Sequence, residues 1–259
     1  MPHRPDLRWT ENGLVSVSAA HLNTDDKPLP DVQASDLIRS TKWGEPLVDA
    51  LGEENIAARE IAGAHSRVAE TFLNFQHRRE TRDPKTKQAA HLDNLARDFQ
   101  RELKRTCAVT DKARLVAENR LNTIEQTFRE TIGWNGEHAQ ELRSVLREMS
   151  RQERTAAIDA AIETADADVL TAALSGHPSA AGITRAEQAA IKARALKRHL
   201  PDLNREKHLL TQGVEKMRQA VLDLADAEDT LTATELREQY NAESAAARAA
   251  EERTNAHAQ

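Results

Sequence analysis

The sequence is poor in the residues that fill a wide core or punctuate a chain. Aromatic side chains make up 3% of the 259 residues: four Phe, three Trp and one Tyr. So little bulk excludes a broad globular interior and favours narrow helical bundles. Cys107 is the only cysteine, so no intramolecular disulfide can form and a reducing compartment fits best. No apolar run approaches membrane-spanning length, and Met1-Pro2-His3-Arg4-Pro5 lacks the apolar stretch of a signal peptide. Walker loops, Gly-x-Gly-x-x-Gly, nucleophile elbows and His-Glu-x-x-His are all missing. No histidine follows a glutamate by three residues, which removes the di-iron bundle pattern. His77 with Glu80 and His138 with Glu141 share helical faces, but pairs of this kind arise by chance among so many charges. The expectation is a protein that is not an enzyme, with no catalytic, cofactor or metal site.

What is present is helix-forming sequence. Charged residues reach 30%, and alanine, glutamate, arginine and leucine dominate, as in long helices and coiled coils. From Pro84 to Ile132 no internal proline or glycine interrupts the chain, room for a helix about 70 Å long. Asp83-Pro84 suits its start and Gly133-Trp134-Asn135-Gly136 its stop. Leu92, Leu95, Phe99 and Leu103 form an apolar stripe that Leu121, Ile124, Phe128 and Ile132 continue. So narrow a stripe cannot hold a helix alone in water, so other helices must lie along it.

Those partners are visible in order. Residues 1–45 read as an N-terminal arm: Leu7-Arg8-Trp9 and Leu14-Val15-Ser16-Val17 flank Asn12-Gly13 as a small hairpin, and Pro28-Leu29-Pro30 is extended. Trp9 and Trp43 are its candidate anchors, on the helices or on a neighbouring subunit. Residues 46–133 read as a long helical hairpin, whose first arm carries Ile61, His65, Val68, Phe72 and Phe75 at heptad spacing. His65 at a seam position reads as a hydrogen-bonded or edge histidine. Residues 134–183 read as a small helical subdomain, with Leu142, Val145, Leu146 and Met149 on one face of its first helix. Ser150 with Glu153, and Thr184 with Glu187, have capping-box spacing, and Asp166 or Asp168 opens a helix that Gly176 stops. Residues 184–259 read as a long C-terminal helix kinked or broken at Pro201. Its seam is Leu210, Val214, Met217, Val221 and Leu224, with Leu231 one heptad further. That seam predicts self-association or the main intramolecular packing, the intersubunit use being favoured. Thr232 with Glu235 offers a further cap, and the alanine-rich Ser244–Ala250 is expected to fray. Trp134, at a turn between helices, either plugs the end of a bundle or anchors a partner. The predicted fold class is therefore all-α: an elongated antiparallel bundle of long coiled-coil-like helices with a small subdomain and an arm.

Net charge is −6, but it is unevenly spread. Arg78–Arg120 holds 12 basic and 7 acidic residues, Arg185–Arg218 holds 9 and 4, and Leu222–Glu243 holds one and seven. Solvated faces and interhelical pairing account for such runs; contact with DNA through the two basic stretches is the alternative. Aromatic interleaving, which would favour single-strand binding, is absent.

One segment has a familiar order. Ile158-Asp159-Ala160-Ala161-Ile162, Ala165-Asp166-Ala167-Asp168-Val169-Leu170, Leu174-Ser175-Gly176-His177-Pro178 and Gly182-Ile183-Thr184 follow one another within residues 156–191. The series resembles a segment of uncharacterised, predominantly helical proteins encoded among the structural genes of tailed bacteriophages. The Ser179-Ala180-Ala181 loop is smaller and less apolar than that pattern suggests. The resemblance implies a virion or assembly role, made in the host cytoplasm, with virion or assembly proteins as partners, and carries no catalytic residues. A homo-oligomer is the expected working form, since components of this kind usually close into rings. A transient assembly scaffold and a nucleic-acid-binding helical protein are the alternatives.

Overall fold

A computed structural model of the chain describes residues 7–10, 13–16, 26–134 and 136–257, with only the backbone given for the first two segments and for residues 256–257. The protein is all-α, with long helices packed against each other. Its helices are α1 (Glu45–Leu51), α2 (Ile56–Glu80), α3 (Gln88–Thr131), α4 (Ala139–Glu148), α5 (Arg151–Thr164), α6 (Ala167–Leu174), α7 (Arg185–His199), α8 (Pro201–Asp226), α9 (Glu228–Leu231) and α10 (Thr234–His257). Among the described residues the strands are β1 (Leu7–Thr10) and β2 (Gly13–Ser16), an antiparallel hairpin pairing Thr10 with Gly13. Gly13 thus sits in a strand rather than in the turn, and Asn12, Val17 and the Trp9 side chain lie outside the described residues.

The chain forms two compact units that are discontinuous in sequence. The first is Met1–Gly44, Ala62–Lys112 and Lys216–Gln259; the second is Glu45–Ile61 and Ala113–Glu215. They do not follow the four consecutive regions read from the sequence, because α2, α3 and α8 each contribute to both units.

In the first unit, α2 and α3 fold back on each other as their unpaired stripes require. Thr71 meets Thr106 at 3.0 Å, Phe75 meets Phe99 edge-on at 5.1 Å and Arg78 meets Asp98 at 2.6 Å, so the pairing runs antiparallel. The C-terminal segment also runs antiparallel to α3: Gln88 meets Tyr240, Asp93 meets Arg237 and Gln100 meets Glu228. Between them lies a core of Val68, Phe72, Phe75, Leu92, Leu95, Phe99, Leu224 and Leu231. Residues 26–38 strap this unit. Ile38 is buried in the core, Arg82 grips Asp26, Arg79 donates to the Pro30 carbonyl, and Gln88 brackets the Lys27 backbone. Residues 26–38 of the arm therefore dock on their own chain.

Two helix starts differ from the sequence reading. α3 begins at Gln88, because Asp83 accepts from the Lys85 backbone N–H at 2.9 Å and makes a turn instead of a cap. α1 and α2 are separate helices, because Gly52 takes φ +89° and ends the first.

The second unit has a core of Phe128, Ile132, Leu146, Ile158, Ile162, Leu170, Ile191 and Leu196 with five alanines. Both predicted capping boxes form, Ser150 with Glu153 and Thr184 with Glu187, and Asp166 caps α6 by accepting from Asp168 and Val169. α5 and α7 run parallel: Arg151 pairs with Glu187, Asp159 with Arg194 and Glu163 with Arg198. Leu200 breaks the helical path and Pro201 opens α8 at the first position, where its missing N–H costs nothing. Val145, read as apolar-face, is 47% exposed, and Ser175 closes α6 before Gly176 turns at φ +73°.

Candidate interaction surfaces

The seam of α8 is real but differently phased. Leu210, Gly213, Met217, Ala220, Leu224, Ala227 and Leu231 are all buried, alternating steps of three and four. Val214 and Val221 flank that row, half-buried. The inward row takes its small members because space demands it: a Cβ on Gly213 would lie 3.0 Å from Leu47 Cδ2 and 3.3 Å from Ile61 Cγ2. A sequence signal for this existed. Gly213, Ala220 and Ala227 are a heptad apart, as are Leu210, Met217, Leu224 and Leu231. Leu210, Met217 and Leu224 are covered by their own chain, so the seam is intramolecular packing, and its proposed intersubunit use is corrected. Relative to the spacing Leu210–Val214–Met217–Val221, the inward row is shifted by one residue at Gly213 and Ala220.

The two described tryptophan side chains are both half-buried. Trp43 lies in a short 3-10 turn, Thr41–Gly44, its ring 4.9 Å from that of His65 and 5.0 Å beneath Lys216 Nζ. Trp134 packs against the core of the second unit with Arg129 at 5.2 Å over its ring. His65 is buried on the α2 seam and its Nε2 meets the Leu37 carbonyl at 2.9 Å; burial pushes its pKa below the ordinary histidine value.

A polar cluster sits inside the second unit. Arg120 grips Glu206 with two hydrogen bonds of 2.7 Å, and the Asn55 amide donates to the same carboxylate at 2.7 Å. The Arg120 hydrogen bond holds the Glu206 carboxyl below its usual range against the opposing effect of burial. Neither Asn55 nor Glu206 was singled out from the sequence; Glu206 falls one heptad before Gly213 on the inward row.

Among the described residues, three well-formed grooves open on the surface. One of about 510 Å³, between α5 and α7, has Ile158, Ile183 and Ile191 at its floor. Arg154 crosses it to donate to the Met149, Ala181 and Gly182 carbonyls, and a Cβ on Gly182 would strike that guanidinium at 1.7 Å. The other two, of about 440 and 400 Å³, lie in the first unit along α2 and α3 and share Arg78, Asp98 and Arg101. Here the two basic stretches part company. In the second stretch Arg194 and Arg198 pair one-to-one with Asp159 and Glu163, while Lys192 shares Glu125 with Arg129. In the first, Asp98 serves both Arg78 and Arg101, and Glu102 serves both Arg67 and Arg105.

His138 and Glu141 approach to 3.9 Å at an exposed site, and among the described residues no three His, Cys, Asp or Glu side chains gather as a metal site would need. Among the described residues no helix is long and apolar enough to cross a membrane. Fold and surfaces together define an all-α protein of long packed helices with arginine-lined grooves. No protein-family model matches the sequence, and no curated protein or solved structure matches it either.

Proposed function

We propose that the protein is a non-enzymatic structural or assembly component that works as one copy in a symmetric homo-oligomer, within the particle of a tailed phage. The observation that carries the oligomer is α10. From Asn241 to Asn255 the chain is helical and every residue is exposed, with the Lys27–Glu243 ion pair at 2.6 Å tying only its start. A solitary helix of that length is marginal in water, so its stability calls for a partner. Six alanines between Ala242 and Ala250 leave room for a second helix to come close. A second copy of this chain supplies such a helix by symmetry. The placement in a phage particle is supported by the ordered series in residues 156–191.

Light scattering on the full chain and on a chain ending at Asn241 tests this reading. The full chain is expected to run as a multiple of 28.8 kDa, and the truncated one as a monomer with its remaining helices intact. A full chain that stays monomeric, or a truncated one that keeps its mass, overturns the oligomer. Detection of the protein in purified particles of a phage that encodes it tests the virion assignment separately.

A further inference from the structure

We propose that the paired grooves along α2 and α3 form a binding site for double-stranded nucleic acid, which they hold through its phosphate backbone. Five arginines line the two grooves, Arg67, Arg78, Arg97, Arg101 and Arg105, against three carboxylates. The carboxylates are already occupied. Asp98 and Glu102 are each divided between two guanidiniums, and Asp83 accepts from the backbone of Lys85. Arg97 donates only to neutral oxygens, the Asp93 carbonyl and the Asn94 amide. The grooves therefore carry surplus positive charge, held in place by the sharing, on a chain whose total is −6. The second basic stretch has no such surplus at Arg194 and Arg198, each of which has its own carboxylate.

The form of the array points to a long anion. Arg97, Arg101 and Arg105 are spaced four residues apart on α3, so they span about 12 Å along the axis. Over that length a duplex presents about seven negative charges, whereas a small anion could engage one or two arginines. Guanidinium forks match phosphate oxygens two at a time, which favours phosphate over a diffuse anionic surface. Arg101 and Arg105 are 69% and 71% exposed, and such ion pairs are weak enough to exchange a carboxylate for a phosphate. Phe75 is the phenyl ring in these grooves, beside the imidazoles of His77 and His91; Arg78 lies over its face at 4.9 Å and Phe99 meets it edge-on. Phe75 is thus covered on its face and buried, and the arginines place contact on the backbone, which reads no sequence.

Fluorescence anisotropy of a labelled duplex of about 20 base pairs, titrated with the full-length protein at several salt concentrations, tests the site. The triple variant Arg97→Gln, Arg101→Gln and Arg105→Gln is expected to bind more than tenfold more weakly at low salt. Its log–log salt slope should be shallower by about 2.7, or 0.9 for each lost contact. Circular dichroism checks that the triple variant keeps its helices, and an Arg194→Gln, Arg198→Gln control should bind as the wild type does. Three results would overturn the proposal: a wild type that leaves the duplex unbound at low salt, a triple variant with unchanged affinity and slope, or an equal loss in the control. Preference for vesicles of anionic phospholipid over the duplex, through the same arginines, would reassign the grooves to a membrane surface. Preference for polyglutamate would reassign them to an acidic protein. The site stands apart from the oligomer reading, because the triple variant should keep the wild-type mass in light scattering.

Discussion

The first unit keeps three of the four phenylalanines, Phe72, Phe75 and Phe99, between long helices, while the second sets Phe128 among Ile, Leu and five alanines contributed largely by short helices. Long helices have few ends for their length, so side-chain packing decides their stability. Short helices leave a larger share of backbone groups without intrahelical partners, and those groups need caps. The second unit supplies them at Ser150, Asp166 and Thr184. Charge differs as well: one carboxylate per cation joins α5 to α7, although Glu125 in that unit serves both Lys192 and Arg129, whereas on α2 and α3 two carboxylates each hold two arginines. A unit whose stability comes from its core can leave charge over for a ligand.

The hardest test of that contrast removes bulk from the first unit. Phe99 is fully buried and meets Phe75 edge-on, so Phe99→Ala should cost about 3–5 kcal/mol in urea unfolding. A loss under about 1 kcal/mol would mean that the site collapses around the cavity, and that aromatic packing is not what holds the long helices.

For the second unit the corresponding break is at a turn. Gly182 takes φ +71° after the 3-10 segment Pro178–Ala181, and Arg154 passes where its Cβ would be, with the Arg147 Cα only 3.2 Å away. Gly182→Ala should therefore cost more than the usual 1 kcal/mol or so for alanine in the left-handed region, about 2 kcal/mol in all, with the Arg154 bonds to Met149, Ala181 and Gly182 disturbed. Thermal unfolding followed at Trp134, which packs on this core, would show it. An unshifted midpoint would remove Gly182 from the account of how this unit is held.

These particular residues also show what could be read without coordinates. The heptad from Ile61 to Phe75, both capping boxes and the break at Pro201 follow from local spacing, and local spacing is what sequence displays. The phase of α8 differs from the sequence pattern because Val214 and Val221 are bulkier than Gly213 and Ala220, which face inward. Bulk is a poor guide where two helices approach too closely for a side chain. The Asn55–Arg120–Glu206 cluster joins residues far apart in the chain, so no spacing rule could assemble it. The surplus of arginine was legible as local charge, but not its division. That depends on which carboxylate faces which helix.

The smallest expected effects concern acid, and they separate the units by pH. His65, buried in the first unit, has its pKa lowered by burial, so the unfolded chain binds that proton more readily than the folded one. Stability from this site is fully present above the unfolded value of about 6.5 and declines as pH falls below it. Glu206, in the second unit, has its carboxyl held low by Arg120, so its contribution is present above the unfolded value of about 4.3 and is lost as pH falls through the folded one. Acid should thus weaken the His65 site first and the Glu206 site later. Trp43, with its ring 4.9 Å from that of His65 and with Lys216 on it, is a local reporter for the first event. Its emission should titrate with a midpoint below about 6.5, and the step should vanish in His65→Gln. In Glu206→Gln the decline of the melting temperature below about pH 4.3 should flatten, with the Trp43 step left in place. A Trp43 midpoint at or above the ordinary histidine value would mean that His65 gains a stabilising partner when charged. The first unit would then gain stability at His65 as pH falls, while the second still loses it at Glu206.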